Sequence, residues 1–296
     1  MIKSFFDEHQ IQYKSNQSLK NYNTYKIDTI CSYIVFPKDE QELIDIIKEI
    51  KKQNIKYMIL GNGSNVIFSK PLYNGVIIKL DNLNDIKYDG NIVIVGAGYP
   101  LIKLAIETSE KGLSGLTFAS GIPGNVGAST AMNAGAYKED MSLVVESVRV
   151  LTPNLEIITL NNKDLEYTYR DSFLKRNKEY IVLSTTLKLN YGDKEIMKSQ
   201  IEERKKKRIA TQPLNMPNAG SVFRNPENTY AGELIEKANL KGYSIGDAKI
   251  SEKHGNFIIN SGNATGEDII KLISKIQKEI KKKYNVELKL EQIIIE

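Results

Sequence analysis

Between residues 39 and 53 the apolar residues Leu43, Ile46, Ile47 and Ile50 recur at the three- and four-residue spacing that lines one face of a helix. Asp39 and Glu42 stand in capping-box positions ahead of that stripe, so the pattern predicts a helix with one buried face. The period then changes. Residues 57–60, 66–68, 76–80 and 92–95 are short β-rich runs broken by turn-forming residues. Leu101, Leu104, Ala105 and Thr108 restore the helical spacing, which stops near Gly112. Strand-like runs at 143–151, 156–160 and 181–189 lead to Asn190-Tyr191-Gly192-Asp193, which reads as a turn closing a domain. Beyond it come a basic helix to about Arg208, a proline-bearing loop, a short helix near 233–239 and a strand-like 257–260. A long helix then opens on Thr265, with Asp268 three residues on, and carries Ile269, Leu272, Ile273, Ile276 and Ile280 as its core stripe. Residues 286–295 are extended, and no internal repeat is present. The chain is predicted to be α+β.

At 296 residues the chain exceeds the usual single-domain size of roughly 100 to 200 residues. Boundaries are expected near residues 80 and 193, giving units 1–80, 81–193 and 194–296. Hydrophobic residues at 41% and charged residues at 26% describe a globular protein with an ample core. The opening MIKSFFDEHQIQYKSN lacks a signal-peptide core, and no run approaches the roughly 20 apolar residues of a membrane span, so a cytoplasmic protein without a membrane partner is expected. Cys31 is the sole cysteine, which excludes an internal disulfide and predicts a small apolar packing role. No His/Asp/Glu cluster has ligand spacing, so no metal is expected. The formal charge is +5, but Arg204-Lys205-Lys206-Lys207-Arg208 has no aromatic interleaving and reads as a solvated helix face, not a nucleic-acid stripe. A basic balance of this kind suits an anionic diphosphate ligand.

Glycine-bearing turns supply the candidate chemistry. Gly61-Asn62-Gly63-Ser64-Asn65 follows a predicted strand, and glycine lets consecutive backbone N–H groups approach a phosphate. Val66 and Leu101 stand where dinucleotide fingerprints beginning at Gly61 and Gly96 would need glycine, and no Gly-Lys-Ser/Thr occurs, so the common nucleotide motifs are excluded. Gly96-Ala97-Gly98 reads as a tight sheet connection. By contrast, residues 120–127 hold three glycines followed by Ala128, Ser129 and Thr130, a loop and helix start expected to offer free N–H groups to a diphosphate. Two such cradles imply one long cofactor. Tyr169-Arg170-Asp171-Ser172 and the loop holding Ser221 behind Gly220 would face it with a small polar reaction centre.

These segments, with Met132-Asn133-Ala134-Gly135-Ala136-Tyr137 and Asn218-Ala219-Gly220-Ser221-Val222-Phe223-Arg224-Asn225-Pro226, strongly resemble the UDP-N-acetylenolpyruvoylglucosamine reductases. The ordered likeness runs from Asn23-Thr24-Tyr25-Lys26-Ile27 to Glu291. It implies noncovalent FAD in a two-subdomain fold of the vanillyl-alcohol-oxidase type, a C-terminal α+β substrate-binding domain whose last residues return to the flavin site, NADPH as hydride donor, and a small-molecule sugar nucleotide as substrate. Flavin contacts would fall on Gly61, Asn62, Gly63, Ser64, Asn65, Ser120, Gly121, Ile122, Gly124, Asn125, Gly127 and Gly135. Catalytic roles would fall on Arg170, Ser221 and Glu291, and substrate contacts on Tyr169, Asn225 and His254.

The chemistry agrees with those residue types. Hydride addition to an enolpyruvyl ether loads negative charge onto the attached carboxylate, which a guanidinium can grip in a fork; the neighbouring carbon then needs a proton. The family's C-terminal run resembles Leu-Glu-Pro-Glu-Val-Arg, whereas this chain has Leu288-Lys289-Leu290-Glu291-Gln292-Ile293 and keeps only the second acid. Lys138 likewise stands where the family has glycine. Two other readings stay open on residues alone: a flavin oxidase of the same fold, and a noncatalytic flavin-binding homologue.

Overall fold

The computed structural model describes residues 2–296. The chain divides into two compact units, each assembled from three segments: residues 1–15, 33–61 and 75–205 in the first, and 16–32, 62–74 and 206–296 in the second.

In the first unit, helix α1 (Ile2–Glu8) buries Ile2 and Phe6. Helix α2 (Glu40–Lys52) buries Leu43, Ile46, Ile47 and Ile50, the predicted stripe. Its cap differs in one detail. Asp39 Oδ1 accepts the Glu42 N–H as expected, but the Glu42 carboxylate reaches past Asp39 to the Lys38 N–H at 2.7 Å. Beside it, Tyr57–Ile59 runs parallel to Leu72–Ile78 with Tyr57 opposite Val76, in a four-stranded sheet ordered Tyr13–Ser18, Ile30–Val35, Leu72–Ile78, Tyr57–Ile59.

A five-stranded antiparallel sheet follows in the order Ile157–Asn161, Val145–Leu151, Ile181–Lys188, Ile92–Gly96, Ile86–Asp89. Helix α3 (Leu101–Glu110) and the short α4 (Val126–Ala131) send Leu101, Leu104 and Val126 into the same core as Val93, Val95 and Leu183. Gly96 and Gly98 are tight connections, as expected: an added Cβ would lie 2.2 Å from Leu83 O and 1.9 Å from Leu80 O respectively. The sequence expected a turn at residues 190–193, but Asn190 and Tyr191 form a short ladder with Ser114 and Leu113. Asp193 Oδ1 accepts the N–H groups of Glu195 and Ile196 and so starts α6 (Lys194–Thr211). Helix α5 (Phe173–Arg176) is a single turn capped by Ser172.

The second unit packs α7 (Ala231–Lys237) and α8 (Gly266–Tyr284) on a three-stranded sheet ordered Ser244–Ile245, Ala248–Ile250, Ile258–Asn260. Thr265 and Asp268 form the predicted capping box, and Ile269, Leu272, Ile273, Ile276 and Ile280 are buried. Val66–Phe68 pairs in parallel with Ile293–Ile295, setting Val66 opposite Ile293. Gly266 admits no side chain because a Cβ would sit 1.7 Å from Phe68 O. Cys31 is buried, and burial pushes its thiol up to about 11, consistent with a packing role. Among the described residues no helix is long and apolar enough to cross a membrane, and no cluster of His, Cys, Asp or Glu could hold a metal.

Candidate active site

In the first unit, Gly61 lies against the second glycine loop: a Cβ there would meet Ala128 Cβ at 3.0 Å and Asn125 Oδ1 at 3.4 Å. Lys79, only 5% exposed, donates to the Gly61 carbonyl and forms an ion pair with Asp81 at 3.3 Å. Burial lowers its pKa, while Asp81 opposes that change. The Lys79 bond holds the Gly61 carbonyl at the head of the turn. Sequence reasoning missed Lys79, although a lone lysine within the apolar run 76–80 was the signal.

The loop before α4 departs from expectation. Val126 N–H donates to Tyr99 O and Gly127 N–H to Ala97 O, both at 2.9 Å, so these two groups bind the loop to its own sheet and are not offered to a phosphate. Gly127 is required by that contact, since a Cβ would lie 2.7 Å from Ala97 Cβ. Asn125 Nδ2 donates to Gly98 O at 2.6 Å, and Ser120 Oγ to Thr117 O at 2.9 Å. Gly121, Ile122 and Gly124 are half-buried along the rest of this loop, and the Ile122 N–H donates to Ala119 O at 3.0 Å. For a flavin nucleotide the donor set fits: side-chain-free backbone at Gly61, the Asn125 carboxamide and a buried cation at Lys79.

Arg170 sits in the tight turn Thr168-Tyr169-Arg170-Asp171, closed by reciprocal backbone bonds between Thr168 and Asp171 of 3.0 and 3.1 Å. Its φ of 57° is left-handed, a conformation costing a non-glycine residue of order 1–3 kcal/mol that surrounding contacts must offset. Those contacts are explicit. The guanidinium donates to the carbonyls of Asn133 and Gly135, its own carbonyl accepts Lys175 Nζ at 2.7 Å, and it stacks 5.0 Å from the centre of the half-exposed Tyr169 ring. Arg176 pairs with Asp171 at 2.6 Å and also with Glu166. Buried Ser172 donates to Ala131 O at the end of α4, tying the turn to that helix. Asn133, 1% exposed with φ 46°, donates from its amide to Thr168 O at 2.8 Å and accepts the Ser142 N–H.

Gly135 belongs to a hairpin in which its added Cβ would strike Glu139 O at 2.4 Å. Tyr137 and Lys138 both take positive φ there, 57° and 65°, which explains the family's preference for glycine at 138. Arg204, from the basic run, donates to Thr117 Oγ1 and Glu139 and lies 4.6 Å from the Tyr137 ring centre, so it serves this unit's interior. Lys205, Lys206 and Lys207 are solvated.

In the second unit, Gly63 has φ 65°, and a Cβ would lie 2.1 Å from Tyr22 O; no other residue fits the turn. Asn62 is exposed and Ser64 half-buried beside it. Asn65 Nδ2 donates to Glu291 O at 3.3 Å, and Asn65 O accepts the Ile293 N–H at 2.9 Å. Glu291 N–H donates to Val222 O at 2.8 Å, and Phe223 bridges Leu290. Thus Asn65, the Ser221 loop and Glu291 are brought together. Gly220 has φ 72° with nothing within 4 Å of an added Cβ, so Ser221 follows a left-handed residue with open space on its side-chain face.

Asn225 and His254 lie beside α7. Asn225 Oδ1 accepts the Ala231 N–H at 3.1 Å, whereas half-buried His254 packs edge-on against Phe257, its ring centre 4.7 Å away, and accepts the Asn256 N–H. Burial lowers the His254 pKa, with the Lys241 cation adding to the effect. Sequence reasoning also missed Gln292, which is fully enclosed and bonded to the serine loop.

Comparison with known proteins gives the same ordering of parts. Residues 31–161 match the family model described as FAD binding domain, and residues 212–295 match that for the UDP-N-acetylenolpyruvoylglucosamine reductase C-terminal domain. The chain is 42% identical over 282 residues to UDP-N-acetylenolpyruvoylglucosamine reductase of Bacillus subtilis (strain 168), covering 95% of this chain and 93% of the relative. It is 44% identical over 273 residues to the protein of that name from Caldanaerobacter subterraneus subsp. tengcongensis, covering 92% and 90%. The crystal structure of UDP-N-acetylenolpyruvylglucosamine reductase from Thermus caldophilus superposes with a TM-score of 0.81 at 31% identity, over 97% of this chain and 99% of that one. The α+β FAD-binding fold read from the sequence stands, and the chain belongs to the UDP-N-acetylenolpyruvoylglucosamine reductase family.

Proposed function

We propose that the protein reduces UDP-N-acetylglucosamine enolpyruvate to UDP-N-acetylmuramate, a peptidoglycan precursor, using noncovalent FAD and NADPH. The observation that carries this reading is the bond from Glu291 N–H to Val222 O, which sets an acid beside the residue following Ser221. FAD, which Gly61, Asn125 and Lys79 would hold, would supply two-electron hydride chemistry between NADPH and the vinyl carbon. The chain's residues manage the charge and the proton. Arg170, always cationic and held in a fixed turn, stabilises the charge that develops on the substrate carboxylate. Ser221 Oγ–H protonates the neighbouring carbon, so the C=C π bond is replaced by two C–H bonds and the serine oxygen is reprotonated from the Glu291 side. Tyr169, Asn225 and His254 contact the sugar nucleotide.

We assign flavin binding to residues 1–80 and 81–193, through the glycine-loop residues, and sugar-nucleotide binding to 194–296. We place the protein in the cytoplasm, where NADPH and nucleotide sugars are available, without nucleic-acid or membrane partners. The test is anaerobic. Purified protein is expected to be yellow, to bleach with NADPH and to regain colour with UDP-N-acetylglucosamine enolpyruvate. Prompt recolouring by air with no response to that compound would replace this reading with an oxidase.

A further inference from the structure

Gln292 is 3% exposed, and its side chain reaches three groups. Nε2 donates to Ala219 O at 3.0 Å and to Gly220 O at 3.3 Å, while Oε1 accepts the Tyr25 hydroxyl at 3.0 Å. Carbonyl oxygens only accept, so the amide nitrogen must face them; the amide orientation and the direction of the tyrosine bond follow. Tyr25 is itself fully buried, and its carbonyl accepts Asn260 Nδ2 at 2.9 Å. The carboxamide therefore has a rigid anchor on one side and the serine loop on the other.

The two captured carbonyls immediately precede Ser221. Because the peptide unit is planar, fixing Gly220 O also fixes the Ser221 nitrogen and the direction in which its Cα leaves the plane. Gly220 cannot hold that plane unaided, having φ 72° and nothing within 4 Å of a would-be Cβ. After Ser221 the backbone is already held, with Val222 N–H donating to Asn256 O at 2.9 Å and Val222 O accepting from Glu291. Before it, Asn218 Oδ1 accepts the Gly220 N–H, and the carbonyls rest on Gln292.

We propose that Gln292 is a positioning residue for carbon protonation: its carboxamide orients the Ser221 hydroxyl and, as the next residue along the chain, couples that orientation to Glu291. The inference rests on the proposed reaction and deepens it. A fold staple would stabilise the loop without favouring one half of the catalytic cycle, whereas a positioning residue acts on the half that uses Ser221.

The test compares wild type with Gln292→Met, which keeps side-chain length but cannot donate, and with Tyr25→Phe/Gln292→Met, which also removes the tyrosine hydroxyl left without its partner. Anaerobic rapid mixing follows bleaching by NADPH and recolouring by the enolpyruvyl substrate separately; hydrogen exchange of residues 217–224 and thermal melting are measured on the same proteins. Both variants are expected to bleach at the wild-type rate and recolour about 10- to 100-fold more slowly, the scale of a small misplacement of a reacting group. Exchange should quicken at residues 219–222, and the double variant should regain melting temperature without regaining recolouring. Unchanged recolouring, equal slowing of both steps, or recovery of recolouring together with melting temperature would overturn the proposal. If wild type fails to recolour, the proposed reaction falls and positioning for it falls as well; unchanged exchange beside normal wild-type recolouring refutes the tether alone.

Discussion

The arginine turn and the serine loop are held by opposite means. Around Arg170 the partners come from a short stretch of chain, residues 131–176, and most are side chains gripping a left-handed turn: Asn133, Ser172, Lys175 and Arg176. Around Ser221 one partner, Asn218, is local, but the others lie far away in sequence, at Asn256, Glu291 and Gln292, and bond through backbone carbonyls. Under the proposed roles, a charge that must be stationary would sit in a locally clamped turn, and a hydroxyl that must release a proton would sit on a glycine-led loop steadied at its two sides. The difference predicts that damage to one group of partners will mark one chemical role and spare the other.

The largest effect that would break the comparison is Ser221→Ala. Recolouring by substrate should slow by about 10²- to 10⁴-fold, the worth of a positioned acid, with bleaching by NADPH preserved. Equal loss in both steps would remove the division of labour. Arg170→Lys comes next. A lysine cannot reproduce a guanidinium that donates to both Asn133 O and Gly135 O from two separate nitrogens, and recolouring should fall by about 10²-fold, the lower end for losing one fixed transition-state donor. Saturation with substrate that restored the wild-type rate would show binding alone to be affected.

Asn133→Ala sharpens the contrast. It leaves Thr168 O and the Ser142 N–H without their amide partner and replaces an asparagine, which tolerates the left-handed region, with an alanine at φ 46°, so unfolding should be easier by about 1–3 kcal/mol in urea titration. Asn133→Gly should cost less, because glycine accepts that φ. In both, hydrogen exchange at residues 219–222 should match wild type; faster exchange there would join the two regions. The smallest effect concerns His254. Its folded pKa is depressed below 6.5 chiefly by burial, with Lys241 assisting and Glu236 opposing, so its contribution is complete above pH 6.5 and is lost as pH falls through the folded value. His254→Gln should have a flatter melting temperature on the acid side of that range, and an unchanged slope would discount the histidine.

Much of the framework was legible because periodicity is local. The stripes of α2 and α8 name their buried faces without reference to any partner, and the glycines at 61 and 63 announce a turn that their positive-φ or close-contact geometry bears out. Tyr13–Ser18 was not legible: its polar residues give an edge strand no alternating apolar signal, and α1 is too short to display a period. Side chains that bind backbone carbonyls were hidden for a different reason. Asn133, Gln292 and Lys79 have ordinary polar identities, and what each does depends on an oxygen that every residue carries. The expected phosphate-facing N–H groups at Val126 and Gly127 failed likewise, because composition could not reveal that Tyr99 and Ala97 would claim them.

The threading of the two units bears on how this protein can be recombined. Chain crossings at 15/16, 32/33, 61/62, 74/75 and 205/206 mean that neither unit is one uninterrupted stretch. A chimera joined at 205/206 exchanges only part of a unit: it would pair the incoming Ile293–Ile295 with a foreign Val66–Phe68 and seat Gln292 against a foreign Tyr25. Successful crossovers between relatives must therefore carry residues 16–32 and 62–74 along with the C-terminal stretch, so inheritance here is by interlaced segments, not by blocks.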